Sequence, residues 1–165
     1  MIIIPLNQTT LPAAIQLVQS IFIHDDPAFI SWTLAANVNP KKYHDLLNSF
    51  ATTTDRCAWV ALEAEKVMGV VGYYTLLEDM QDAAWLSWFC VAPQFRGKKI
   101  GLTLLETAIT AVTAKGKSYL RLYTSDIDDQ RRAHQMYKQR GFTEFRQSQY
   151  DPKTKTNLLY LQLSL

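Results

Sequence analysis

The sequence predicts a mixed α/β fold, a mostly antiparallel sheet with one parallel crossover, flanked by helices. Three observations predict it. Apolar residues recur at helical spacing before residue 50 and again after residue 98, while Val-rich and aromatic runs fill 57–91. The strand–helix–strand passage at 84–124 then requires a right-handed parallel connection within the sheet. No linker, repeat or low-complexity stretch interrupts the 165 residues, so one domain, 1–165, is expected.

The elements follow in order. Met1–Pro5 reads as a short strand. Thr10 is placed to cap a helix whose first turn accepts Pro12, with Leu11, Ile15, Val18 and Phe22 on one face. Asp26–Pro27 repeats the pairing of cap and first helical residue ahead of 29–36. Asn39–Pro40 gives it again, and Tyr43, Leu46, Leu47 and Phe50 then predict an amphipathic helix. The period changes at 57–63 and 67–76, which read as a hairpin around Ala64, Glu65 and Lys66. An acidic connection at 77–82 leads to a third strand at 84–91, ended by Pro93, which cannot donate to a ladder. From Lys98 the helical period returns through Ile100, Leu104, Leu105, Ala108 and Val112 to Lys115–Gly116. A strand at 118–124, an acidic loop and a helix at 129–140 stopped by Gly141 come next. Strands at 142–149 and 157–163, around Asp151–Pro152, complete the chain.

Composition narrows the function classes. A net charge of +2 is too small to point to a nucleic-acid or membrane partner. Arg131, Arg132, Lys138 and Arg140 read as the exposed face of a helix, without a base-reading motif. Cys57 and Cys90 lie in apolar runs and read as small buried hydrophobes; their spacing is not that of a metal site, and no metal is expected. Met1–Pro5 lacks the basic flank and cleavage site of a secretory leader, and no apolar run approaches bilayer length. The expected compartment is the cytoplasm.

The most informative stretch is 91–101, V-A-P-Q-F-R-G-K-K-I-G. A strand ends, a turn holds Arg96, Gly97, Lys98 and Lys99, and a helix begins at once. First-turn amides then point outward with the positive end of the helix dipole behind them, a setting that suits a pyrophosphate. Taken alone, RGKK reads equally well as a solvated basic turn. A phosphate-binding P-loop and a dinucleotide fingerprint both fit poorly, because the residues after Gly97 and Gly101 do not match.

The pattern V-x-P-x-x-R-G-x-x-I-G between a strand and a long helix resembles the acyl-CoA signature of the GNAT superfamily, R/Q-x-x-G-x-G/A, with Lys99 in place of the middle glycine. The loop is expected to present its amides with Lys99 in an ordinary helical conformation. A second block at 130–142 resembles the family's N-x-x-A-x-x-x-Y-x-x-x-G-F segment through Ala133, Tyr137, Gly141 and Phe142, with Gln130 at the asparagine position. Gly69 and Gly72 match the family's second and third strands.

The resemblance implies a GNAT N-acyltransferase fold and an N-acetyltransferase that moves an acyl group from acetyl-CoA, or another acyl-CoA, to a primary amine. It implies that the strand around Phe89, Cys90 and Val91 pairs with the pantetheine arm. The pyrophosphate would rest on amides from Arg96 through Gly97, Lys98, Lys99 and Ile100 to Gly101, with Gln94 and Arg96 at its edge. Gln130 would face the pantetheine near the thioester. Tyr137 would act as general acid for the departing thiolate, and it also reads as a core aromatic on the inner helical face.

The third strand carries no carboxylate, so the general base is unassigned; Glu78, Asp79 and Asp82 read as solvated loop charges and His24 as weak. Asp25, Asp26, Asp126, Asp128 and Asp129 read as caps and loop charges, or else as an acceptor mouth favouring a cationic amine. Trp32, Trp85 and Trp88 read as an aromatic wall or as core. The acceptor is a small molecule or a peptide N-terminus or lysine, and the resemblance leaves room for a homodimer. The other reading is a non-catalytic acyl-CoA-binding sensor or interaction module on the same fold.

Overall fold

A computed structural model describes residues 1–126, 131–152 and 155–165. Seven strands form one sheet in the order β1-β2-β3-β4-β5-β7-β6. They are β1 (Ile2–Pro5), β2 (Thr52–Glu63), β3 (Lys66–Leu76), β4 (Ala83–Val91), β5 (Tyr119–Ser125), β6 (Thr143–Asp151) and β7 (Thr156–Ser164). Among the described residues only β4 and β5 run parallel, joined by the helix α4 (Ile100–Ala114). The sheet and crossover therefore match the sequence expectation, except that β2 starts five residues earlier than its apolar run. Its first residues, Thr52–Arg56, are polar and half-exposed, which hid them from a reading based on hydrophobicity.

Two apolar cores lie on opposite faces of the sheet. On one, α1 (Leu11–Ile21) and α2 (Pro27–Val38) bury Leu11, Val18, Ile30 and Leu34 against Ala58, Val60, Val70 and Cys90. On the other, Leu104, Leu105, Ala108 and Val112 of α4 pack on Val71, Leu86, Leu120 and Leu122, together with α5 (Arg131–Gln139). Alternation along each strand divides these residues between the faces. Gly69 and Gly72 are required by close approach. A Cβ on Gly69 would stand 2.8 Å from Leu104 Cδ1 and 2.9 Å from the Cys90 carbonyl, and one on Gly72 would stand 2.9 Å from Ser87 Oγ.

Several local expectations need correction. Asp26 caps α2 through the Ala28 amide, as its sequence predicts, but Thr10 makes no cap bond with its side chain. Asn7 serves that helix instead, accepting from the amides of Thr9 and Thr10 at 2.9 and 3.1 Å. The segment after Asn39 splits into a 3-10 turn, Pro40–Tyr43, and the short helix α3 (His44–Ser49). Only Leu47 of its apolar positions is buried; Leu46 and Phe50 remain exposed because the break rotates them away from the sheet. The crossover helix begins at Ile100 rather than Lys98.

Candidate functional site

The sheet opens along the seam between β4 and β5. Their pairing is confined to Ala83–Trp85 against Tyr119–Arg121, while β4 continues to Val91 with β3 alone. Among the described residues no strand pairs with the remaining edge of β4, which leaves room for an extended ligand to pair there. A β-bulge accompanies the opening. Cys90 faces Val70 and Ser87 faces Gly72, so two residues of β4, Trp88 and Phe89, span a single residue of β3. Trp88 adopts φ +44°, a strained conformation for a bulky residue. The bulge reverses the alternation, putting Trp88 on the α1–α2 side and Phe89 on the α4–α5 side.

At the far end of β4 the chain turns into α4. The first helical bond runs from the Thr103 amide to the Lys99 carbonyl. Among the described residues, the amides from Gly97 through Leu102 find no protein acceptor. Gly97 has φ +80° with open space around it, and Gly101 stands 3.6 Å, by its would-be Cβ, from both Phe89 and Val91. Lys99 does not take the helical conformation expected of it. It caps α4 at φ +61°, ψ +8°, because the chain must reverse there to pass from the turn into the helix. Cationic charge converges on the same loop. The Nζ atoms of Lys66 and Lys98 lie 5.2 and 5.7 Å from the centre of the Phe95 ring, and Arg96 Nε donates to the Val91 carbonyl at 3.1 Å. Gln94 lines a groove of about 390 Å³ between α1 and the β2–β3 turn.

Tyr137 projects from α5 toward the seam. Its ring centre is 6.1 Å from Phe89 and 5.5 Å from Phe142. Gly141, at φ +88°, ends α5 and lets the Phe142 amide return to the Tyr137 carbonyl at 3.0 Å. Arg140 grips Glu106 of α4 with two contacts of 2.6 and 2.7 Å, which fixes the two helices together. Burial pushes the Tyr137 hydroxyl above its usual pKa, so it stays protonated throughout the neutral range.

A family model settles the kinship: the acetyltransferase (GNAT) family matches residues 19–142. The chain belongs to the GNAT acetyltransferase family. It is 34% identical over 98 residues to the probable N-acetyltransferase camello of Xenopus laevis, covering 59% of this chain and 43% of that protein. The Xenopus tropicalis protein of that name is 32% identical over 113 residues, covering 68% and 50%. The chain thus spans about half the length of the curated relatives it matches. An aminoglycoside 6'-N-acetyltransferase complexed with coenzyme A superposes with a TM-score of 0.78 at 14% identity, covering 99% and 97% of the two chains. The ribosomal-protein-alanine N-acetyltransferase of Brucella melitensis gives 0.70 at 20% identity, covering 100% of each.

Within this GNAT fold, Phe89, Val91 and Tyr137 share the α4–α5 side of the open seam and the loop 96–101 lies at its end, whereas Gln94 lines the groove beside α1. Cys90 is buried on the α1 side, and burial pushes its thiol up to about 12. Gln130, Asp128 and Asp129 lie outside the described residues. The acids resolve into several roles. Asp79 is not a solvated charge: it accepts from Trp85 Nε1 at 2.6 Å and pairs with Arg121, tying the loop to β4 and β5. Asp26 is a cap, and Asp126 accepts from the Asn157 amide and side chain at 2.9 and 2.7 Å. Asp25 stands near Tyr123. That ring keeps 56% of its surface exposed, yet crowding and then the Asp25 charge raise its pKa.

Trp85 is core, whereas Trp32 and Trp88 join Phe22, Phe29 and Phe50 in an aromatic cluster with ring centres 5.2–6.1 Å apart. Sequence reasoning missed three residues here: Lys66, Trp88 as the bulge, and Arg56. A lysine in a hairpin turn and an arginine in a polar strand start carry no local signal. The paired glycines Gly69 and Gly72 opposite β4 were the only hint of an irregularity.

Proposed function

We propose that this chain is an acyl-CoA-dependent N-acyltransferase that moves an acetyl group from acetyl-CoA to a primary amine. The observation that carries this reading is the run of unpaired amides from Gly97 to Leu102 at the end of the opened β4 edge. A diphosphate seated there would meet several N–H donors, the positive helix end and the charges of Lys66, Arg96 and Lys98. The CoA complex of a structural neighbour supports acyl-CoA as the donor.

The pantetheine arm would then lie in the seam against Phe89 and Val91, with the thioester near the bulge. The lone pair of the amine attacks the thioester carbonyl carbon, and a tetrahedral intermediate forms. Its collapse breaks the carbon–sulfur bond, and the Tyr137 hydroxyl gives its proton to the leaving thiolate. The amine proton leaves to solvent, since β4 offers no carboxylate there, and a proton from solvent restores the Tyr137 phenol. A neutral phenol held among Phe89, Phe142 and Met136 suits this acid role, because burial keeps it protonated.

The missing carboxylate favours a second reading, a non-catalytic acyl-CoA sensor. One experiment separates the two: thiol release over a panel of amines, run beside calorimetric titration with CoA, for the natural chain and Tyr137→Phe. Turnover that falls in the variant while CoA affinity holds supports the enzyme. Saturable CoA binding without turnover by any acceptor supports the sensor, and no CoA binding at millimolar concentration refutes both.

A further inference from the structure

Among the described residues, three buried side-chain polar atoms have no hydrogen-bond partner: Asn37 Oδ1, Arg56 Nε and Ser87 Oγ. All three belong to one place. The Thr33 carbonyl on α2 receives both Asn37 Nδ2, at 2.8 Å, and Arg56 Nη2, at 3.3 Å. The Thr33 hydroxyl accepts from Trp88 Nε1 at 2.9 Å. Ser87 sits over Gly72, whose partner on β2 is Ala58, two residues from Arg56 on the same face. These groups therefore share the space between α2 and the sheet, beside the bulge where β4 parts from β5.

Arg56 is the unusual member. A guanidinium carries five donors and is rarely buried without a carboxylate. Asp55, its neighbour in sequence, lies on the opposite face and is engaged by Tyr73, Thr75, Lys115 and Lys117. Asp79 is taken by Arg121. Within the described residues Arg56 has only the Thr33 carbonyl as acceptor. Arg56 faces Tyr74 across β2–β3, and its guanidinium meets the bulge through Thr33, whose carbonyl accepts from Arg56 Nη2 and whose hydroxyl accepts from the Trp88 indole. The rings of Phe22, Phe29 and Trp88 wall the same region.

We infer that Arg56 is the carboxylate receptor of the acceptor site, so that the acceptor is an amine that itself bears a carboxylate, such as an amino acid or a short peptide with an apolar side chain. A carboxylate there completes the guanidinium in the bidentate manner that its fork favours, and holds the amine toward the bulge. The inference rests on the enzymatic reading for its reaction, but its binding half stands separately.

The test compares L-phenylalanine, phenylalaninamide and phenethylamine as acceptors with saturating acetyl-CoA, for the natural chain, Arg56→Met and Arg56→Lys. The expected result is a kcat/KM for phenylalanine at least tenfold above that of the amide and the amine. That preference collapses toward unity in Arg56→Met and is partly kept in Arg56→Lys. The same compounds, added at 10 mM to CoA-loaded protein, provide a readout free of chemistry. Phenylalanine should raise the melting temperature of the natural chain and not that of Arg56→Met, while the amide should raise neither. If turnover is absent but this thermal pattern holds, the enzymatic reading fails and the receptor stands. A carboxylate preference that is missing, or that survives in Arg56→Met, overturns the inference, as does an equal thermal response to acid and amide. Arg56→Lys keeps the test open should the methionine variant not fold.

Discussion

Lys99 offers the sharpest test of the loop geometry. It is exposed and sits at φ +61° as the residue before the first turn of α4, so substitutions there act through the backbone. An L-residue in that conformation costs about 1–2 kcal/mol, which glycine avoids. Glycine in turn gives up about 0.5–1 kcal/mol of chain entropy. The balance makes Lys99→Gly about 0.5–1 kcal/mol more stable than Lys99→Ala. In a chain of this size that separates the two melting temperatures by about 1–4 °C. A right-handed helical residue would give the opposite order, with glycine about 1 kcal/mol worse than alanine. Urea unfolding followed by circular dichroism, with all three proteins at one pH, reads the sign directly. Lys99→Ala more stable than Lys99→Gly would refute the left-handed assignment.

The other expected outcomes concern the core, the acid and the ion pairs. Gly69→Ala should cost about 1–3 kcal/mol, because its new methyl meets Leu104 and the Cys90 carbonyl below 3.0 Å, and Gly101→Ala should unfold near the natural midpoint, its nearest contacts being 3.6 Å. Tyr137→Phe should lower kcat about 10²–10⁴-fold while donor binding by calorimetry stays within a few-fold. Burial alone would raise the Asp55 carboxyl, but its hydrogen bond with Lys115, helped by the Lys115 charge, Thr75 and Lys117, holds it below its ordinary 3.8. Its folded value is depressed, so its stabilisation is present above that pH and is lost as pH falls below it. Thermal melts of Asp55→Asn between about pH 6 and 2 should show a shallower acid decline than the natural chain. Asp79→Asn should lower the urea midpoint by several tenths of a molar or more, since it takes the carboxylate partner from a half-buried Arg121.

Much of this architecture can be read from residue order because the local rules agree with the packing. Helical spacing at Leu104, Leu105, Ala108 and Val112 matches the face that α4 buries, and Asp26 and Gly141 punctuate α2 and α5 as their chemistry dictates. The loop from Arg96 to Gly101 falls where its residues place it, between a strand and a helix. What escaped reading is set by contacts distant in sequence. The bulge at Trp88 depends on how β4 registers against β3, and nothing in AWLSWFCV distinguishes a bulged strand from a regular one. Phe50 fits a helical stripe, yet it finds Phe29 and Trp32 rather than the sheet. Asp79 resembles any loop acid until Trp85 and Arg121 close over it. The left-handed Lys99 was hidden because lysine favours helices, and the turn overrides that preference.

The three-residue junction between β4 and β5 bears on how the molecule comes apart. Two leaves, β1–β4 and β5–β7, share a zipper closed at one end only, so the backbone itself does little to couple their opening. Amide exchange should then be slowest where Ala83–Trp85 meets Tyr119–Arg121 and faster along Phe89–Val91. A guest lying in the slot would supply rungs that the chain lacks and would slow exchange on both leaves together, making the bound protein unfold more nearly as one unit.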